Sequence, residues 1–144
     1  EASRFINQYF AEYPGVKQWL DSTIERAKEW GYVTTLLGRR RYVPELQHAN
    51  AATRAGAERA AINTPVQGSA ADIIKLAMLR ADPLLRGKNA RMLVQVHDEL
   101  LVEAPEKEAE EVGETMRAVM EDAVELDVPL LVEVGAGSSW EELH

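Results

Sequence analysis

The sequence contains no cysteine, so neither disulfide bonds nor thiolate-bound metal ions can contribute to its structure. Aromatic residues make up only 6% of the 144 residues, and no apolar run approaches the roughly 20 residues that a membrane-spanning helix needs. No secretory signal pattern opens the chain, and the apolar content of 46% is ordinary for a globular protein. We therefore expect a cytoplasmic protein of about one domain that has no membrane partner.

Positive charge is scarce overall, since the net charge is −8, but it is concentrated in the first part of the chain. Residues 1–91 contain 14 Lys and Arg against 9 Asp and Glu, a balance of +5. Residues 92–144 contain 2 against 15, a balance of −13. A polyanion such as nucleic acid could dock on the basic first part, while the acidic second part faces solvent.

Hydrophobic periodicity and breaker residues predict an alternation of helices and short strands. The predicted helices cover residues 2–13, 16–30, 49–63, a segment from Pro65 that ends before Pro83, and 106–124. The predicted extended segments lie on either side of Gly38, on either side of residues 97–99, and over residues 128–135. Antiparallel strands with helices packed behind them predict an α+β fold built on an antiparallel sheet.

The segment "LVQVHDELLVEAP" places three polar residues, His97, Asp98 and Glu99, between two apolar strands. With a period of two, Leu93, Gln95 and His97 share one face of the first strand, and Asp98 and Glu99 form the turn. A bound cation would relieve the repulsion between two adjacent carboxylates, and oxygen ligands favour a hard cation such as Mg²⁺ or Mn²⁺. Such a site suggests two-metal phosphoryl chemistry. The same residues also fit an ordinary solvent-exposed turn.

A run of three arginines, Arg39, Arg40 and Arg41, directly follows Gly38. Guanidinium groups pair bidentately with phosphate, and a glycine turn lets the backbone approach a ligand closely. The run therefore predicts a contact with a nucleic-acid backbone. A solvated basic hairpin is the alternative.

A second set of polar residues, Arg59, Asn63 and Gln67, is spaced by four and would form one row on a continuous helix. Pro65 interrupts this row, because proline must either kink a helix or start a new one. The donors of the row could contact the acceptors that every base pair presents in the minor groove, without reading sequence. An exposed polar helix face is the alternative.

Four long segments together resemble the C-terminal part of family A DNA polymerases, the bacterial DNA polymerase I group. They are "GYVTTLLGRRRYVPEL", "ERAAINTPVQGSAADIIKLAM", "MLVQVHDELLVEAP" and "VPLLVEVGAGSSWEELH", in the order of the family. The resemblance covers essentially the whole chain. It implies trailing fingers and a connection over residues 1–62 and a palm subdomain over residues 63–144, with no separate second domain.

The resemblance also implies a role for each candidate residue. Asp98 holds two catalytic Mg²⁺ ions, for which Mn²⁺ can substitute, Glu99 assists in metal or primer-end positioning, and His97 touches the last primer nucleotide. The residues implied in primer–template binding are His97, Arg59, Asn63, Gln67, Arg39, Arg40 and Arg41. The implied reaction is attack of the primer 3′-hydroxyl on the α-phosphate of a dNTP, in DNA replication or repair.

Two further motifs of the family, a second metal-binding Asp and a fingers helix that grips the triphosphate, are not found among these residues. Because the sequence also begins at Glu1 rather than Met, we expect one part of a larger or split polymerase, inactive without the upstream remainder. Two alternatives stay open, the palm of a single-subunit RNA polymerase and a non-catalytic nucleic-acid-binding module. Asp98 and Glu99 argue against the module, since such a protein need not keep carboxylates that repel phosphate.

Overall fold

The computed structural model describes residues 2–143, and the chain divides into two compact units whose boundary lies between Ser69 and Ala70. The helices are α1 (Ala2–Glu12), α2 (Pro14–Trp30), α3 (Ala51–Asn63), α4 (Ser69–Arg86) and α5 (Ala109–Glu121). The strands are β1 (Tyr32–Thr34), β2 (Arg40–Tyr42), β3 (Arg91–Val96) and β4 (Glu99–Glu103). Single turns of 3₁₀ helix cover Pro44–Gln47, Glu106–Glu108 and Trp140–Leu143.

Both sheets are two-stranded and antiparallel, β1 with β2 and β3 with β4. This mixture of helices and small antiparallel sheets confirms the predicted α+β class. The assignment of residues 1–62 to the fingers and residues 63–144 to the palm stays a prediction. Within residues 2–143, no helix has both the length and the apolar character that crossing a membrane requires.

Helix boundaries in the first unit follow from proline and glycine, as predicted. Pro14 opens α2, where its missing N–H costs nothing because first-turn amides have no partner within the helix. Gly31 ends α2 in the left-handed region at φ 76°, and its N–H donates to the carbonyl of Ala27. Asn50 caps α3 by accepting hydrogen bonds from the amides of Ala52 and Thr53.

The core of the first unit is built largely from small residues on α2 and α3, which allow the two helices to approach closely. Val33 of β1 and two residues after β2 complete it. The buried apolar residues are Ala27, Val33, Val43, Leu46, Ala57 and Ala61.

A π turn, residues Thr64–Gly68, connects α3 to α4. The sequence predicted that Pro65 would kink the helix or start a new one. In the structure α3 ends at Asn63, α4 begins at Ser69, and the five residues between them form the wider π turn. A wider turn accommodates a residue that cannot donate a hydrogen bond to the preceding turn.

Helix α4 of the second unit runs through Pro83 to Arg86, so the prediction that it ends before Pro83 was wrong. Pro83 lies in the last turn, where only the carbonyl of Leu79 loses its donor. Because Leu79 is 73% exposed, water can take the place of that donor. The helix then packs on α5 through a core of Ala81, Leu85, Ala90, Val112 and Met116.

The predicted last strand, over residues 128–135, is not a strand in the structure. The N–H of Val132 donates to Glu121 Oε1 at 3.0 Å, and its carbonyl accepts from Arg117 Nε at 3.3 Å. Both partners are side chains of α5. A strand needs backbone groups of a neighbouring strand as partners, and here side chains bond the backbone of Val132 instead.

Candidate nucleic-acid interface and metal-binding hairpin

The hairpin of β3 and β4 carries the three polar residues at its tip. Val96 pairs with Glu99, so the connecting turn consists of His97 and Asp98 alone. The prediction that Glu99 lies in the turn was therefore wrong, because Glu99 is the first residue of β4. All three side chains are exposed, and the ladder on either side fixes their backbone positions.

A β-bulge at Leu93 breaks the alternation expected along β3. The register moves from Met92 opposite Val102 to Val94 opposite Leu101, so Leu93 is an extra residue with no partner. The predicted common face of Leu93, Gln95 and His97 is therefore lost. With the bulge, Met92 and Val102 point to the same side and pack against the core of the second unit.

The turn itself is strained at His97, which has a φ of 55°. Residues with a side chain rarely adopt this left-handed region, although His does so more often than most. The side chain of Gln95 braces the turn, since its Nε2 donates to the carbonyl of His97 at 3.0 Å. Strain of this kind persists where the surrounding structure imposes it, and it is concentrated at functional sites.

Asp98 and Glu99 match the ligand chemistry of Mg²⁺, which usually takes one or two protein carboxylates and completes its shell with water and substrate phosphate. Among residues 2–143, no group of three or more His, Asp or Glu side chains could hold a metal ion. The donors present therefore fit one part of a magnesium site, to which other ligands must be added.

We define the basic hairpin as residues 35–41, the loop after β1 and the first two residues of β2. Its three arginines have different partners. Arg39 Nη2 donates to the carbonyl of Gly68 at 3.1 Å, and Arg41 Nη1 donates to Thr64 Oγ1 at 3.2 Å. The guanidinium of Arg40 instead lies over the ring of Tyr32, 4.6 Å from its centroid.

The polar row of Arg59, Asn63 and Gln67 begins on α3 and ends in the π turn. All three residues are exposed. None of their side chains makes a hydrogen bond or ion pair within the part of the chain that the structure describes. The donors and acceptors of the row are therefore available to a ligand.

Sequence reasoning missed the residues that support these side chains: Gln95 below the strained turn, and Thr64 and Ser69 at the ends of the π turn. For Thr64 and Ser69 the local signal is Pro65 between two helical segments, which marks an irregular turn without indicating what stabilises it.

A sequence model of DNA polymerase family A matches residues 1–142. The chain belongs to this family. It is 54% identical to DNA polymerase I of Deinococcus radiodurans over 140 residues, and 54% identical to the thermostable DNA polymerase I of Thermus thermophilus over 140 residues. Each alignment covers 97% of the chain but only 15% and 17% of the respective relative. The chain thus spans about a sixth of the length of these curated family members.

A solved structure gives the same result for the fold. The POL domain of Pol1 from M. smegmatis, in complex with DNA primer-template and dNTP, matches 98% of the chain with a TM-score of 0.94 and 49% sequence identity. The match covers 25% of that domain chain. The resemblance stated from the four sequence segments is therefore confirmed.

Proposed function

We propose that this chain is part of the polymerase domain of a DNA-directed DNA polymerase, and that it binds primer–template DNA and catalytic Mg²⁺ for nucleotidyl transfer from a dNTP to the primer 3′-hydroxyl. The observation that carries the proposal is the strained turn of His97 and Asp98, held between two paired strands in a member of family A. The complex of the Pol1 relative with primer-template and dNTP supports the choice of partners.

Asp98 is the proposed metal ligand and Glu99 its neighbouring carboxylate. Two bound Mg²⁺ ions, or Mn²⁺ in their place, would supply stabilisation of the charge that develops on the attacking hydroxyl and on the departing pyrophosphate. The hairpin keeps the Asp98 backbone in one place through the ladder and the Gln95 brace. His97, one residue before, is proposed to contact the last nucleotide of the primer.

The first unit is proposed to bind the duplex. Arg59, Asn63 and Gln67 would donate to acceptors in the minor groove, which are present at every base pair, so that the polymerase reads pair shape and not sequence. The basic hairpin, which carries Arg39, Arg40 and Arg41, would contact the phosphate backbone. These contacts add no sequence preference, as a replication or repair enzyme requires.

We further propose that the catalytic site is completed by the upstream remainder of the enzyme, in the same chain or in a second subunit. The test is primer extension by the chain alone, by the upstream portion alone, and by the two together after co-elution has shown that they assemble. We expect extension only by the assembly, and with dNTPs in preference to NTPs. Extension by the chain alone would contradict the incomplete site, whereas an inactive assembly would contradict the polymerase proposal and favour a binding module.

The strained turn leads to a separate prediction for His97→Gly in the complete polymerase. Glycine adopts positive φ without strain, so we expect a melting temperature equal to or above that of the parent. Loss of the imidazole removes a contact to the primer end, and extension should fall up to about tenfold, the scale of one hydrogen bond. A variant that melts earlier and extends normally would show that His97 serves the hairpin and not the primer.

A further inference from the structure

The basic hairpin is hydrogen-bonded to the π turn at both ends of the turn. At the first end, Arg41 Nη1 donates to Thr64 Oγ1 at 3.2 Å, and this hydroxyl in turn donates to the carbonyl of Ala60 at 2.7 Å. At the other end, Arg39 Nη2 donates to the carbonyl of Gly68 at 3.1 Å. Two arginines of the three-arginine run therefore have protein partners in one irregular segment.

The hydroxyl of Ser69 adds two further hydrogen bonds to this contact. Ser69 Oγ accepts a hydrogen bond from the N–H of Leu36 at 2.8 Å and donates to the carbonyl of Pro65. Ser69 is 4% exposed and Thr64 7% exposed, so both residues are buried. Three of these five hydrogen bonds end on backbone carbonyls, those of Ala60, Gly68 and Pro65, as expected of contacts that fix a backbone path.

Such support suits a π turn, because π geometry is rare and occurs mostly as single turns within α-helices. The choice between the two geometries matters for Gln67, which lies inside the turn, and for its direction relative to Asn63 just before it. Residues four apart share a face in an α-helix, but a wider turn rotates the second of them away from that alignment.

We propose that Arg41, together with Arg39, is a positioning residue that locks the π turn and thereby aims the Gln67 side chain at the primer–template, while Arg40 is the phosphate contact of the basic hairpin. The inference rests on the proposed function of Gln67 in DNA binding. The three arginines are assigned different roles because their contacts differ. Arg40 lies over the Tyr32 ring and makes no hydrogen bond to the π turn among the described residues.

Salt dependence separates a positioning arginine from a phosphate contact. Each phosphate contact adds about 0.9 to the slope of log K against log salt concentration. In the complete polymerase, Arg40→Leu should lower the slope for primer–template binding by about 0.9, whereas Arg41→Leu should leave the slope unchanged. The two variants lose the same charge from the same hairpin, so each is the matched control of the other.

A double-mutant cycle tests the link to Gln67. We expect Arg41→Leu and Gln67→Ala each to lower the kcat/KM for dNTP incorporation about tenfold at saturating primer–template. The kcat/KM of the double variant should lie within about twofold of that of Gln67→Ala, because Gln67 is already misdirected once Arg41 is lost. For Arg40→Leu combined with Gln67→Ala, the fold losses in kcat/KM of the two single variants should instead multiply. Thr64→Val removes the hydroxyl and should lower kcat/KM as much as Arg41→Leu does. Thr64→Ser keeps the hydroxyl and should retain the kcat/KM and the melting temperature of the parent.

Three results would overturn the inference: a multiplicative cycle between Arg41 and Gln67, a salt slope for Arg41→Leu that falls as it does for Arg40→Leu, or a Thr64→Val variant with parent activity. If Gln67→Ala alone changes neither incorporation nor binding, the proposed DNA contact of Gln67 fails, and the inference fails with it. If Gln67→Ala lowers incorporation and its loss multiplies with that of Arg41→Leu, the positioning role of Arg41 is refuted and the DNA contact of Gln67 is retained.

Discussion

Asp98→Ala in the complete polymerase should lower the rate of nucleotide incorporation about a thousandfold or more, because metal stabilisation of the transition state is worth several kcal/mol. Primer–template affinity should stay within about threefold of the parent, since a carboxylate makes no attractive contact with phosphate. The measurement is single-turnover incorporation beside equilibrium binding of the same labelled duplex. Glu99→Ala should show a smaller loss, as expected for the neighbouring acid.

Glu103→Ala is the matched control for Asp98→Ala. Glu103 is an exposed carboxylate at the far end of the same hairpin, where it pairs with Arg91 at 2.7 Å, and exposed pairs contribute little. It should leave incorporation unchanged. Paramagnetic relaxation by Mn²⁺ near the hairpin should be lost in Asp98→Ala and kept in Glu103→Ala. Incorporation by Asp98→Ala near the parent rate would refute the metal assignment.

Local backbone chemistry explains why much of the fold could be predicted from sequence. Pro14, Gly31 and Gly38 act through properties of a single residue, the fixed φ of proline and the free φ of glycine, so these three boundaries could be predicted without tertiary contacts. The periodicity that predicted a helix over residues 106–124 reflects burial, since Val112 and Met116 of α5 enter the core. The α+β class follows from such elements.

The failures outside the helices share a different cause, since each depends on a partner that sequence spacing does not specify. The last predicted strand has no ladder in the structure, and side chains of Arg117 and Glu121 bond the backbone of Val132. The bulge at Leu93 changes the register of β3 against β4, and alternation in β3 alone carries no sign of it. Glu99 lies in β4 and not in the turn because it pairs with Val96, a partner that sequence spacing does not specify.

The candidate site divides in a similar way. Its candidate residues could be named from sequence, because they lie in the four segments that resemble the family, and their roles stay predictions. Their supports could not, since a hydroxyl such as Thr64 or Ser69 has no pattern of its own until a hairpin more than twenty residues earlier in the chain lies against it. The division of the three arginines by contact follows from that packing and not from their order.

Gly68→Ala is expected to disturb the π turn directly. A Cβ at this position would lie 2.8 Å from Thr35 Cγ2 and 3.3 Å from Arg39 Nη2. Thr35 is 4% exposed and β-branched, so its methyl group has no room to turn away. We expect a loss of about 1–3 kcal/mol in the free energy of unfolding, the range for an overpacked core, measured by urea denaturation of the complete polymerase. Incorporation should fall with it, because the turn carries Gln67.

Thr35→Ser provides the rescue that ties this loss to one contact. Serine removes Cγ2 but keeps the hydroxyl, which accepts a hydrogen bond from the N–H of Arg39 at 3.1 Å. The double variant Gly68→Ala with Thr35→Ser should therefore recover most of the stability and activity. Gly15→Ala is the matched control, since a Cβ there meets nothing within 4 Å, and alanine in the first turn of α2 should be neutral or stabilising by up to about 1 kcal/mol. If Thr35→Ser gives no recovery, the contact between the basic hairpin and the π turn does not determine the path of the backbone at Gln67.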